Sequence, residues 1–213
     1  MSENLSQQLQ QGLAKLGLTV DEAVQSSLLD YVALLHKWNR AYNLTAVRKP
    51  ELMITRHILD SLVINPYLSS GRIIDVGTGA GLPGIPLALI RPDDEFFLLD
   101  SNSKKTRFLT QAVTELGLKN VTVVQSRAEE FKPDQLFNTI MSRAYSTLAN
   151  MISGTRHLLA GGGVFFAMKG VYPVAELDEL PADMRLVGSY QLHVPELDAE
   201  RHLLVIQPSQ QWA

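Results

Sequence analysis

The stretch Arg72-Ile73-Ile74-Asp75-Val76-Gly77-Thr78-Gly79-Ala80-Gly81-Leu82-Pro83-Gly84-Ile85-Pro86-Leu87-Ala88-Leu89-Ile90 decides the fold. Ile73 to Val76 form a short apolar run that enters three glycines in alternate positions, and the apolar run that follows has helical length. Glycine at these places permits tight turning and lets a ligand approach the backbone without meeting a Cβ. Pro83 and Pro86 fall in the first helical turn, where their missing N–H groups have no intrahelical acceptor to lose. A strand, a glycine turn and a helix in this order predict a small-molecule site at the carboxyl edge of a parallel sheet, where backbone donors at the helix start are expected to face the ligand.

The same alternation continues outward. Strands are expected near Glu95–Leu99, Val121–Gln125, Thr139–Ser142 and Val164–Met168, with helices between them, which is the pattern of a doubly wound parallel sheet covered on both faces. Leu186–Val194 and His202–Gln207, joined by a short turn around Asp198, read as an antiparallel hairpin closing a mostly parallel seven-stranded sheet. Upstream, Leu5, Leu9 and Leu13, then Leu28, Tyr31, Val32, Leu35 and Trp38, recur at helical spacing on either side of Gly17, and a third helical segment runs from Pro50 to Ser61. The expected organisation is an N-terminal helical extension, residues 1–68, packed on a ligand-binding core, residues 69–213, as one structural domain.

The chain has 213 residues, 46% of them hydrophobic, enough for one sizeable core. It has no apolar stretch of transmembrane length, and its start lacks a signal-peptide pattern, so a cytoplasmic protein without membrane contact is expected. The absence of cysteine excludes disulfides, thiolate metal sites and any sulfur nucleophile. The five histidines show no paired ligand spacing, and no metal is expected. The net charge of -3 argues weakly against a polyanion partner, yet residues 36–57 carry Lys37, Arg40, Arg48, Lys49 and Arg56 against Glu51 alone, a local charge of five minus one. RNA contact and a plain solvated face both account for that excess.

Several residues converge on the carboxyl edge. Asp100 ends the second strand, where an acid accepts hydrogen bonds from the ribose hydroxyls of a nucleoside cofactor. Arg127, Ala128, Glu129 and Glu130 follow the third strand and suit recognition of an adenine amine, with an exposed acidic turn as the alternative. Arg143 follows the fourth strand and could hold a phosphate or guanine, or serve as a structural ion pair. Lys169 ends the fifth strand as a candidate phosphate contact. Arg56 and Asp60 are four residues apart and read most simply as a surface salt bridge. Gly79, Gly81 and Gly84 also match a dinucleotide fingerprint in a second register, which keeps a nicotinamide-dependent oxidoreductase open, and a non-catalytic nucleotide-binding module on the same fold remains a further alternative. The spacing of Gly77, Gly79 and Gly81 behind Asp75 is similar instead to that of class I, Rossmann-like methyltransferases.

Segments spanning nearly the whole chain together resemble one family, the ribosomal RNA small subunit methyltransferase G family, formerly called glucose-inhibited division protein B. They are Trp38-Asn39-Arg40-Ala41-Tyr42-Asn43-Leu44-Thr45, Arg56-His57-Ile58-Leu59-Asp60-Ser61, Asp75 to Pro86, Leu99-Asp100-Ser101, Ser142-Arg143-Ala144, Lys169-Gly170 and Arg201-His202-Leu203. The resemblance implies methyl transfer from S-adenosyl-L-methionine to guanine N7 at position 527, in the 530 loop of 16S ribosomal RNA. Its cofactor contacts would be Gly77, Leu82, Ala128, Glu129 and Arg143, beside Asp75, Gly79, Gly81 and Asp100 of the glycine loop and second strand. The expected RNA contacts are Arg40, Arg48, Lys49, Arg56, His57, Lys104, Lys105 and Lys169, with Arg143 and Lys169 nearest the chemistry, and the expected enzyme is a monomer acting on the small ribosomal subunit.

Guanine N7 carries an in-plane lone pair at neutral pH, so its methylation requires alignment and no general base. The fourth strand ends in Ser142-Arg143 and lacks the Asn/Asp-Pro-Pro-Tyr/Phe sequence that grips exocyclic amines. Asn65-Pro66-Tyr67 looks similar but precedes the sheet and reads as a turn. Pyrimidine carbon-5 methylation is excluded because it needs a cysteine nucleophile.

Overall fold

A computed structural model describes residues 3–143, 145 and 147–209; Ala144, part of one family-like segment, lies outside them. Strands β1 (Arg72–Val76), β2 (Glu95–Asp100), β3 (Val121–Gln125), β4 (Phe137–Ser142), β5 (Leu159–Lys169), β6 (Met184–Gln191) and β7 (His202–Pro208) form one sheet in the order β3-β2-β1-β4-β5-β7-β6. β1 to β5 pair in parallel, and β7 runs antiparallel between β5 and β6. Helices α5 (Gly84–Ile90), α6 (Ser103–Glu115), α7 (Leu148–Thr155) and α8 (Val174–Asp178) fall between strands, after α1 (Glu3–Lys15), α2 (Glu22–Tyr42), α3 (Pro50–Met53) and α4 (Asp60–Leu62). The order reverses between β1 and β4, and at such a switch point the carboxyl ends of the strands leave a crevice.

The sheet is buried on both faces because neighbouring residues along a strand point to opposite sides. Ile73, Leu98, Met141 and Phe166 join a core with Leu9, Leu13, Tyr31, Leu35 and Ile58 of the N-terminal helices. Ile74, Leu99, Ile140 and Phe165 join the opposite core with Leu148, Met151 and Ile152 of α7. β3, one of the two edge strands, is only half-buried, so the continuous apolar pattern does not carry through to it.

Two local readings are corrected and a third holds. The last two strands are joined by residues 192–201, no tight turn, and β6 ends at Gln191 short of Val194. The third helical segment is interrupted by a π-helical turn, Ile54–Leu59, after which the Asp60 N–H reaches back to the Thr55 carbonyl. Such wide turns shift every later side chain around the axis and occur often at functional sites. Asn65–Tyr67 is a 3₁₀ turn, as its sequence suggested.

α2 stops where Asn43 enters the left-handed region, φ 51° and ψ 50°. Its penultimate turn carries Asn39, whose buried amide accepts from Thr45 N–H at 2.9 Å and donates to the Val47 carbonyl at 3.0 Å. Arg48 folds back onto the Asn39 carbonyl and Asn43 Oδ1. One side chain thereby pins the return loop that delivers the chain to the π-helical turn.

Candidate active site

β1 carries the chain into the glycine loop with Asp75 fully buried beneath it. Its Oδ2 accepts from Thr78 Oγ1 at 2.7 Å and from Gly84 N–H at 2.9 Å, while Oδ1 has no partner. Desolvation by burial pushes this carboxyl up to about 6, against the two hydrogen bonds and the Arg143 charge that favour the anion. The glycines divide their work. Gly77, at φ +68°, faces open space, and no protein atom lies within 4 Å of where its Cβ would stand. Gly84 is packed, since a Cβ there would collide with Leu98 Cδ2. Gly77 therefore leaves room for a ligand, and Gly84 lets α5 lie against β2.

The loop does not present a row of free backbone donors, contrary to the sequence expectation. Gly77 and Thr78 donate to the Leu99 carbonyl, Gly81 and Leu82 to Thr78, Gly84 to Asp75, and Ile85 to Gly81. Tight turning consumes these groups, so what the loop offers a ligand is bare backbone surface with Asp100 beside it.

A cavity of about 360 Å³ lies over Gly77, lined by Asp100, Ser101, Lys105, Ala128, Glu129 and Tyr145 among others. Asp100 Oδ2 accepts from Gly79 N–H at 3.0 Å and from Lys105 Nζ at 3.2 Å, and Oδ1 accepts from Asn102 N–H. Asp100 thus fixes the loop as well as facing the cavity. Leu82 is buried in the core, and Gly79, Gly81 and Asp75 are not among the residues lining this cavity. A bare glycine floor, an acid on one flank and a second acid on the other fit a nucleoside ligand.

A second cavity of about 380 Å³ adjoins β4 and β5, lined by Val47, Arg56, His57, Asp60, Arg143, Met168, Lys169, Gly170 and Arg201. The exit of β4 reaches both cavities, since Arg143 lines this one and Tyr145 the other. Asp60 does not pair with Arg56. Its buried carboxylate accepts from Arg201 Nε at 2.7 Å and from Arg143 Nη1 at 3.2 Å. Arg143 Nη1 also donates to the Arg56 carbonyl at 3.2 Å. The π-helical turn breaks the spacing that would have set Arg56 beside Asp60. Its outcome is two guanidinium groups anchored by one carboxylate at the cavity wall, which restricts their rotamers before any ligand arrives.

His57, expected at the RNA surface, is buried. Its Nδ1 faces the Arg56 carbonyl, which can only accept, so Nδ1 holds the proton and Nε2 accepts from Thr45 Oγ1 at 2.9 Å. Desolvation, then the Arg143 charge, lowers its pKa to about 4. Lys169 is held by both oxygens of Glu176, at 2.8 and 3.0 Å, and Lys105 by Asp100. Arg48 is spent on the α2 terminus. Arg40, Lys49, Arg56 and Lys104 are exposed, and among the described residues no carboxylate pairs with them.

Sequence reading missed four contributors. Tyr31 of α2 is fully buried and donates its hydroxyl to the Ala80 carbonyl, so the helical extension supports the glycine loop directly; burial raises its pKa well above the ordinary value. Ser142 Oγ donates to the Val76 carbonyl at 2.8 Å, tying the exits of β4 and β1. Tyr145 bonds to Glu129, and Arg201 completes the Asp60 network. The apolar face around Tyr31 was visible from spacing, but partners so distant in sequence leave no local signal.

The sequence model of the family described as rRNA small subunit methyltransferase G matches residues 24–204. A protein from Aeromonas salmonicida (strain A449), named ribosomal RNA small subunit methyltransferase G, is 52% identical over 192 residues, covering 90% of this chain and 92% of its own. One of the same name from Shewanella amazonensis is 53% identical over 200 residues, covering 94% and 97%. Among solved structures, the N-methyltransferase NodS from Bradyrhizobium japonicum WM9, in complex with S-adenosyl-L-homocysteine, superposes with a TM-score of 0.56 at 13% identity, over 83% of this chain and 99% of NodS. Likeness at that identity speaks to the fold alone.

Proposed function

Because the chain belongs to the ribosomal RNA small subunit methyltransferase G family, we propose that it transfers the methyl group of S-adenosyl-L-methionine to N7 of a guanine in 16S ribosomal RNA, at position 527 in the 530 loop. The observation that carries this reading is the pair of cavities reached by one strand exit, the first lined by Gly77, Asp100 and Glu129 and the second walled by anchored arginines. The residues present fit the cofactor: Gly77 leaves its open side to it, Asp100 would accept from the ribose hydroxyls, and Ala128 and Glu129 would border the purine. When bound, the cofactor supplies an electrophilic methyl group on a sulfonium.

What remains for the protein is orientation. Methylation at N7 releases no proton from the guanine, so no free base is needed in the second cavity, where the Asp60 carboxylate is taken up by Arg143 and Arg201. His57 is unsuited to be one, since its one free lone pair already accepts from Thr45. Arg143 and Arg201 would donate to guanine O6 or a flanking phosphate, held still by Asp60. Fixing acceptor and donor in line is worth up to about 7–11 kcal/mol in favourable systems. Lys169 and Arg143 serve as substrate contacts here, and the exposed Arg40, Lys49 and Arg56 as phosphate contacts farther out. The nicotinamide alternative loses its support, because Gly81, the glycine of its register that would let the backbone meet a pyrophosphate, is packed against Ile85 and Leu109 and does not open to the cavity. No helix of the described residues is long and apolar enough to cross a membrane, consistent with work on ribosomal subunits in the cytoplasm.

The test is methyl transfer by the purified protein from methyl-labelled cofactor to small subunits isolated from cells lacking the gene. Label in 16S RNA, recovered as N7-methylguanosine, is the expected result. Label on another base or in large-subunit RNA contradicts it.

A further inference from the structure

Gly154 lies within α7, where glycine is a poorer helix former than alanine and no turn requires it. Its surroundings explain it. A Cβ on Gly154 would stand 2.8 Å from Tyr145 Oη and 3.1 Å from Glu129 Oε1. The two side chains meet over this notch from different elements, Tyr145 from the loop after β4 and Glu129 from the short 3₁₀ turn Ala128–Glu130 after β3. Both also line the cavity over Gly77. A carboxylate can only accept, so the bond between them runs from the Tyr145 hydroxyl to Glu129, and burial together with the Glu129 charge raises the tyrosine pKa.

We infer that Tyr145 and Gly154 are positioning residues that set the purine specificity of the cofactor site, by locking the Glu129 carboxylate in the orientation that accepts from an exocyclic 6-amino group. This rests on the cofactor reading above. An exposed glutamate has several rotamers and loses freedom when it orders around a ligand, at a cost. Here a hydroxyl and a glycine notch hold it in advance, and the carboxylate keeps acceptor sites after taking the Tyr145 proton donor. A 6-amino purine presents a donor to those sites, and a 6-oxo purine presents an acceptor that a fixed carboxylate repels. The lock therefore favours adenine over hypoxanthine, and does so through residues that need not touch the ribose or the amino-acid tail.

The experiment is calorimetric binding of S-adenosyl-L-homocysteine and its 6-oxo analogue, S-inosyl-L-homocysteine, to the wild-type protein, Tyr145→Phe and Gly154→Ala. The phenylalanine variant keeps the ring, and alanine is the better helix former, so neither change unfolds α7 through propensity. The wild type should prefer the adenosyl ligand. Both variants should bind it roughly 3- to 10-fold more weakly, as expected for loss of one hydrogen bond that orients a charged group, with the inosyl affinity unchanged or improved, so that the preference narrows. Unchanged adenosyl affinity in both variants overturns the inference, and so does an equal loss for both ligands, which is what a merely structural role produces. A wild type that binds neither ligand fells the cofactor reading itself, and is told apart from failure of the lock by that control.

Discussion

Gly77 and Asp100 make the cofactor site testable one residue at a time. Gly77→Asp adds a carboxylate into the open side of the loop at φ +68°; the left-handed conformation costs a non-glycine residue about 1–2 kcal/mol, and the new Cβ meets no protein atom within 4 Å beyond its chain neighbours. The fold should survive with a small drop in melting temperature, while calorimetry finds no cofactor binding; wild-type affinity in this variant refutes the placement. Asp100→Ala should weaken S-adenosyl-L-methionine binding by about 1.5–3 kcal/mol, through lost charge-assisted ribose bonds and loss of the acceptor for Gly79 N–H. An unchanged dissociation constant removes Asp100 from the ribose.

Among elements, the segment from α2 through the π-helical turn is the one whose sequence said much about identity and little about geometry. Its local charge is compatible with RNA contact as well as with a solvated face, yet Arg48 is consumed in closing α2 and His57 is buried. The set we propose to face phosphate is therefore Arg40, Lys49 and Arg56, exposed and without a carboxylate partner among the described residues. Replacing these three by alanine should weaken RNA binding and flatten its dependence on salt, each lost contact lowering the log–log slope by about 0.7 for single-stranded RNA, with cofactor affinity retained. If titrations at two salt concentrations match the wild type, the segment is a solvated face and the RNA docks elsewhere, along Lys104 and Arg107. Strand existence was legible wherever burial on two faces produced an apolar run, as in β1 and β4. Asp60 was misread because a four-residue spacing implies a neighbour only in a regular α-helix, and nothing local announced the wide turn at Ile54–Leu59. The Tyr145–Glu129 contact was invisible for another reason, since β3 and β4 bring those positions together only through the sheet.

At the scale of the whole molecule, one core joins the N-terminal helices to the sheet, and the buried Tyr31 carries that packing to the glycine loop. Two buried titrating groups beside this core oppose one another. His57 falls from 6.5 to about 4, so its contribution is present above pH 6.5 and is lost as pH falls toward 4. Asp75 rises from 3.8 to about 6, so its contribution is present below pH 3.8 and is lost as pH rises through 6. Between pH 4 and 6 each contributes a slope of about 1.4 kcal/mol per pH unit, with opposite signs. Asp75→Asn should unmask the histidine, so that its urea-unfolding free energy falls relative to the wild type by roughly 2 kcal/mol between pH 6.0 and 4.5; parallel curves would show that Asp75 titrates as an ordinary carboxylate. The claim that the glycine loop, the anchored arginines and the helical extension together form a guanine-N7 methyltransferase is tested most directly in cells. Chemical mapping of N7-methylguanine in 16S RNA should find the modification at position 527 when the gene is present, lose it on deletion, and regain it with the wild-type gene but not with Gly77→Asp. Modification that persists at that guanine without the gene, or that Gly77→Asp restores in full, contradicts the account.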